Sequence, residues 1–335
     1  MPYLHRCLAA LGGILLLSAI PCVSQTSATA LTPAVQTVDL TSGETVTNID
    51  KQVEQSLRPE HLFRKKIVAT AFAVNQPSQV ADIDDIAQGF PRELLSSLEN
   101  SRQFVTRRSP HLLSFNYQQE TPGIKLIQQV AAENDSQFVI SGEIRNAGQR
   151  IETKYFGLWE TRKRHIEIAF AIYDGQSGSL LSRHQLQRQA EDQASVGRNK
   201  PFGSAVFFAT GYGQAIASLL EEAAQLIAQD LAPFPVLAKI IKVNKSQIVL
   251  DTGATSAIAT GDLATVVVAG NNLPLSGIQA YQSRPTLYGN AQTSLGKATI
   301  VQVQYLFSVA ELAADITPGD VNVGDFVRFD APRSK

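Results

Sequence analysis

Residues 165–190 read HIEIAFAIYDGQSGSLLSRHQLQRQA. Ile166, Ile168, Phe170 and Ile172 alternate with Glu167, Ala169, Ala171 and Tyr173, the two-residue period of a strand lying against a core. Asp174-Gly175-Gln176-Ser177-Gly178 carries turn chemistry, so residues 179–190 are expected to return as the partner strand. This hairpin stands among segments of a different period. IVATAFAV at 67–74 is an almost unbroken apolar run, as a buried strand requires. Phe90, Leu94 and Leu98 fall on one helical face, predicting a helix over 90–100 with Pro91 in its first turn. Residues 104–107 read as a short strand. Thr121-Pro122 reads as a helix cap and first helical position, with Ile124, Ile127 and Ala131 extending the stripe to about Asn134. Residues 138–144 are strand-like. The strongest helix is 214–231, with Ile216, Leu220, Ala223, Ile227 and Leu231 on one stripe, stopped by Pro233 and Pro235.

The order strand, helix, strand, helix, three strands, helix predicts an α/β sandwich over 64–235, a mixed sheet with helices on one face. From 236 to 335 strands dominate. Residues 238–243 and 247–250 flank the turn Asn244-Lys245-Ser246, and further strands are expected at 264–268, 297–305 and 325–329. That spacing suits a small β-barrel or sandwich. Gly261-Asp262 and Gly324-Asp325 each stand just before a strand, one turn chemistry used twice. The expected class is α+β, an α/β sandwich followed by a barrel-like all-β domain.

The chain has 335 residues, enough for two or three domains, with 44% hydrophobic and 18% charged residues. Lys and Arg total 29 against 30 Asp and Glu, a net charge of −1 that gives no general pull on phosphate backbones. His5 and Arg6 precede the apolar run 8–20, then Pro21 and small residues, the pattern of a signal peptide over 1–24. Residues 25–63 read as a linker with one short strand near Val38–Leu40. Cleavage after Ser24 removes both cysteines, Cys7 and Cys22, which suits an oxidising compartment. The alternative is a lipoprotein anchored at Cys22, where Pro21 stands in place of the usual small residue.

One motif resembles a catalytic loop. Val249-Leu250-Asp251-Thr252-Gly253-Ala254 has the hydrophobic-hydrophobic-Asp-Thr-Gly-Ala form of aspartic proteases, in which two carboxylates share a proton and activate water. The competing reading is a tight turn, with Asp251 accepting backbone hydrogen bonds and Gly253 at positive φ. No second copy of the motif is present. The five histidines, His5, His61, His111, His165 and His184, have no ligand spacing. Asp82, Asp84 and Asp85 resemble the start of a calcium loop but lack its Gly and closing Glu, so a solvated turn is preferred. Arg162-Lys163-Arg164-His165 reads as a solvated hairpin tip, and Gly211-Tyr212-Gly213 as a helix-entry turn without the Lys of a phosphate loop. Trp159 in FGLW reads as a core plug or protein contact. No catalytic, cofactor-binding or metal-binding residues are assigned, and no cofactor is expected.

KKIVATAFAV, DIAQGFPRELLSSLENS, FVTRRSP, SQFVISGEI and GYGQAIASLLEEAAQLIAQDL occur in this order. Together they resemble the middle domain of flagellar assembly protein T. AKIIKVNKSQIVLDTGATSAIATGDLATVV, closing with NVGDFVRF, resembles that family's C-terminal domain. The resemblance spans residues 64–332. It implies a middle domain similar to the N-terminal domain of TolB, and a periplasmic, non-enzymatic component of the H ring around the flagellar basal body. It implies partners among the L/P ring and T-ring proteins of the MotX/MotY type, a homo-oligomeric ring, and no nucleic acid or small-molecule substrate. In the family the stretch from Leu250 to Asp262 is a strand, a Gly turn and a Gly-Asp turn without a catalytic role. The family's usual N-terminal domain is expected to be missing or reduced here.

Overall fold

The computed structural model describes residues 62–113, 123–154, 159–190, 196–269 and 292–330. The expected signal peptide with Cys7 and Cys22, the expected strand near Val38–Leu40 and the expected Thr121-Pro122 cap lie outside the described residues. The first part is a seven-stranded mixed sheet. Its strands are β1 (Lys65–Ala71), β2 (Ala73–Val74), β3 (Phe104–Leu112), β4 (Phe138–Asn146), β5 (Gln149–Lys154), β6 (Trp159–Asp174) and β7 (Leu180–Ala190). Helices α1 (Ile86–Asn100), α2 (Ile124–Glu133), α3 (Ala205–Phe208) and α4 (Gly211–Leu231) accompany it. β3, β1 and β4 run parallel, while β6 lies antiparallel to β4 and carries β5 and β7 as antiparallel neighbours.

Helices cover both faces of this sheet, where the sequence predicted one. Ile67 and Ala69 of β1 join Ile166, Ile168, Phe170 and Ile172 in a core closed by α1 and α4. The alternate residues Val68, Val139, Ala171 and Tyr173 pack against Ile127, Val130 and Ala131 of α2. The unbroken apolar runs of β1 and β4 follow from this double burial.

α1 begins at Ile86, so Pro91 sits inside the helix rather than in its first turn. A proline there removes the hydrogen bond to the carbonyl four residues back. That carbonyl, Ala87 O, instead accepts from Phe72 N at 3.1 Å. The interruption of the helix therefore ties it to the end of β1. α4 begins three residues earlier than predicted, with Thr210 capping it: its hydroxyl accepts from Gly213 N at 3.0 Å.

The second part is a closed six-stranded antiparallel barrel. It comprises β8 (Val236–Asn244), β9 (Gln247–Leu250), β10 (Leu263–Ala269), β11 (Gln292–Val303), β12 (Ser308–Leu312) and β13 (Phe326–Phe329). Ala238, Ile240, Leu250, Val266, Ile300 and Phe329 fill its interior. β12 has no separate signal in the sequence reading. The two Gly-Asp turns are geometric copies. Gly261 and Gly324 have φ of 89° and 102°, and Asp262 and Asp325 each accept from the amide three residues back, Ala259 and Asn322, at 2.7 Å.

Candidate functional site

One cluster of charged groups gathers where sheet and barrel meet. Lys66 is the second residue of β1, on the face opposite Ile67, and is 7% exposed. Its Nζ donates to Asp135 Oδ2 at 2.8 Å and to the carbonyl of Asp251 at 2.9 Å, and lies 3.4 Å from Asp251 Oδ2. Asp135 is placed by the left-handed turn after α2, at φ 48°. Asp251 directly follows β9 of the barrel. Gln137 adds a neutral bridge, donating to Pro235 O at 2.9 Å and accepting from Leu237 N at 3.2 Å. Arg64 N donates to Ser256 O at 3.0 Å, and the rings of Phe63 and Phe329 lie 5.1 Å apart. A cleft of about 320 Å³ opens beside Lys66, with Gln128, Gln176, Lys239 and Phe326 in its wall.

The Asp-Thr-Gly-Ala loop forms part of this joint. Asp251 Oδ1 accepts from Lys239 N at 2.7 Å and from Thr252 Oγ1 at 2.8 Å. Burial raises the Asp251 carboxyl above its ordinary value and Asp135 raises it further, while Lys66 and Thr252 pull it down. Two carboxylates do approach each other, as in a protease. Both also face the ammonium of Lys66. The arrangement joins two parts of the chain. Gly253 is not at positive φ, as the turn reading supposed, but at −140°. Glycine is required there for space: an added Cβ would lie 2.7 Å from Phe307 N and closer still to Gln304 O.

A second cluster lies inside the sandwich, where the sequence placed a solvated tip. Arg164 is a β6 residue and fully buried. Strand alternation sets it on the face of Ile166, aimed at the segment before α1. Its guanidinium holds Asp82 through both nitrogens, at 2.6 and 2.8 Å, and donates to Gln79 O at 2.7 Å and Ala147 O at 3.1 Å. It also lies 4.4 Å from the ring centre of Tyr212. Burial would raise Asp82, but the hydrogen bonds and charge of Arg164 and the amide of Val196 outweigh it and hold the carboxyl below its usual value. Asp82 is therefore the ion-pair partner of a buried guanidinium, in a turn that leaves its side chain partly exposed.

The remaining candidates are dispersed. Asp84 is largely exposed and Asp85 adopts φ 56° ahead of α1. Gly211-Tyr212-Gly213 forms the first turn of α4, with Tyr212 buried under Arg164. His111 meets Glu133 at 3.1 Å, and His184 meets Asp230 at 2.5 Å while lying 5.2 Å from Phe170. Trp159 lies in β6, and its side chain is outside the description, as are His5 and His61. Among the described residues no three His, Cys, Asp or Glu side chains gather as metal ligands, and no helix is long and apolar enough to cross a membrane.

The fold defines an α/β sandwich joined through a shared ion cluster to a closed barrel. Residues 59–199 match the family model described as flagellar assembly protein T, middle domain. The match ends before α4, which supplies eight buried residues to the same region of structure. No curated protein matches the chain. Among solved structures, a hypothetical protein from Chlamydia trachomatis is 15% identical over 50% of this chain and 99% of its own, with a TM-score of 0.37. A PelC dodecamer from Paraburkholderia phytofirmans is 14% identical over 49% of this chain and 89% of its own, with a TM-score of 0.29. A lipoprotein from Neisseria meningitidis is 10% identical over 48% and 99%, with a TM-score of 0.26.

Proposed function

We propose that the chain is a non-enzymatic, periplasmic structural protein of the bacterial flagellar basal body. Its place would be the H ring, where it supports assembly of the outer rings and function of the stator units. The observation that carries this reading is the middle-domain match over residues 59–199. The chemistry of the joint supports it, because Asp251 is engaged by Lys66, Lys239 and Thr252 in holding two regions together. The organisation we propose is a signal peptide over 1–24, a linker over 25–63, the α/β domain over 64–235 and the barrel over 236–335. Partners would be L/P-ring proteins and T-ring proteins of the MotX/MotY type, with the chain itself repeated around a ring.

Deleting the gene tests the reading. Swimming should be lost, and purified basal bodies should lack outer-ring density in electron micrographs. A deletion strain that swims normally with complete basal bodies overturns it.

A further inference from the structure

β3 closes one end of the mixed sheet, and among the described residues its only strand partner is β1. Lys65 N donates to Gln103 O at 3.0 Å, and the parallel register then runs in step from Lys65 opposite Phe104 to Ala69 opposite Arg108. Alternate residues of such a strand bond to alternate sides. Val105, Arg107 and Ser109 therefore serve β1, while the main-chain N–H and C=O groups of Phe104, Thr106 and Arg108 point away from it. The next outward position is Pro110, which has no N–H, so the open ladder is short and ends there.

The side chains on this edge are cationic on both faces. Arg107 and Arg108 are neighbours in a strand and so project to opposite faces, and both are exposed. Arg107 lies 3.8 Å from Asp135, which Lys66 already holds, and Arg108 has no ion pair among the described residues. Beside them a groove of about 320 Å³ runs between β3 and α1. In it Arg92 is matched by Glu93, and Glu99 accepts from Thr106 Oγ1 at 3.4 Å. β7 also has a single partner strand, but its Arg188 meets Glu222 and its His184 meets Asp230. Arginines and a proline on an edge keep like strands off it. The same arginines favour a strand of opposite charge, because cross-strand pairs of opposite sign are stabilising. We propose that β3 takes up an extended segment of a partner protein by strand addition, and that this segment carries two adjacent carboxylate residues, one facing Arg107 and one facing Arg108. The proposal stands apart from the flagellar reading above.

The test is fluorescence anisotropy on the purified full chain. The probe is a labelled peptide alternating Thr and Val around a central Glu-Asp pair, and the control carries Lys-Lys in place of that pair. The acidic peptide should bind saturably and the control should not. Arg107→Gln combined with Arg108→Gln should weaken binding about tenfold, the scale of losing two such pairs. Thr106→Pro keeps both arginines and removes an N–H that faces away from β1, and it should weaken binding at least as much. Both variants should melt close to the wild-type protein. Independently of either variant, a carbonyl-labelled acidic peptide should move to the strand position in its infrared amide band on binding. Equal binding of the two peptides, or no binding of the acidic one, overturns the proposal and leaves the flagellar reading untouched. Binding that needs the arginines but survives Thr106→Pro, with the peptide's amide band unmoved, makes the edge a plain anion patch and overturns strand addition. Self-association of the wild-type protein in sedimentation that Thr106→Pro abolishes makes the occupant a second copy and overturns it too.

Discussion

The chain holds two charged clusters of similar composition in different settings. Arg164 and Asp82 lie within one domain, and the guanidinium has no exposure and is fully occupied by oxygens and an aromatic face. Lys66, Asp135 and Asp251 lie between two cores beside a cleft, and the side chain of Asp135 is 45% exposed. The choice of cation follows the setting. A planar, forked guanidinium satisfies several fixed acceptors when nothing can move, while an ammonium on a flexible stem serves three oxygens from separate elements. The inner cluster locks a fold, and the outer one fastens two folds to each other.

The comparison breaks most visibly at Arg164. Replacing it with Met leaves the Asp82 carboxylate and two carbonyls without their donor. Breaking a buried pair costs about 3–5 kcal/mol, and partial exposure of Asp82 places this case near the lower end, about 3 kcal/mol. Chemical denaturation of the Arg164→Met protein should show that loss. Acid sharpens the same point. Asp82 is depressed in the fold, so its stabilisation is present above the unfolded carboxylate pKa of about 4 and is lost as pH falls through the lower folded value. Asp251 is raised, so its contribution has the opposite sign: present below the unfolded pKa and lost as pH rises through the folded one. Melting curves of Asp82→Asn and Asp251→Asn across pH 3 to 7 should therefore diverge from wild type in opposite directions.

Next in size is Gly253→Val. With backbone atoms of Gln304 and Phe307 in the way of a Cβ, overpacking of about 2–3 kcal/mol is expected, concentrated in the barrel. A Gly253→Val protein as stable as wild type would mean that the backbone at Gln304 and Phe307 can move aside. Smaller again is Lys66→Met, at about 1–2 kcal/mol, because Asp135 is half exposed and the Asp251 carboxylate keeps Lys239 N and Thr252 Oγ1 as donors. Limited proteolysis should find the sheet–barrel connection at 232–235 cut faster in that variant, with each core still protected.

These differences also mark what the sequence could carry. The β6–β7 hairpin was legible because Ile166, Ile168, Phe170 and Ile172 repeat every second residue and Asp174–Gly178 can only turn. The barrel was legible from turn chemistry at Asn244–Ser246 and the two Gly-Asp steps. The start of α1 was not, because Pro91 normally marks a first turn, and here the Phe72 amide just past β1 takes up the carbonyl that Pro91 cannot serve. The position of α2 on the far face was written only in the unbroken apolar runs of β1 and β4. Lys66 carried no signal of its own role. Its partners stand 69 and 185 residues away, a separation that only the folded chain closes. Asp251 was found for its resemblance to a catalytic loop, and the fold placed it in a joint.

Complementation by Asp251→Asn tests that placement most directly. Asn keeps the acceptor for Lys239 N and Thr252 Oγ1 and removes a charge that burial disfavours, so stability at neutral pH should stay within about 1 kcal/mol of wild type. The measurement is the swimming radius of the deletion strain carrying the variant, with the protein level in the periplasm checked alongside. The account predicts swimming equal to that restored by the wild-type gene. An Asp251→Asn protein that is exported, folded and abundant but restores no swimming would contradict it, because a neutral amide fails where a catalytic carboxylate is required.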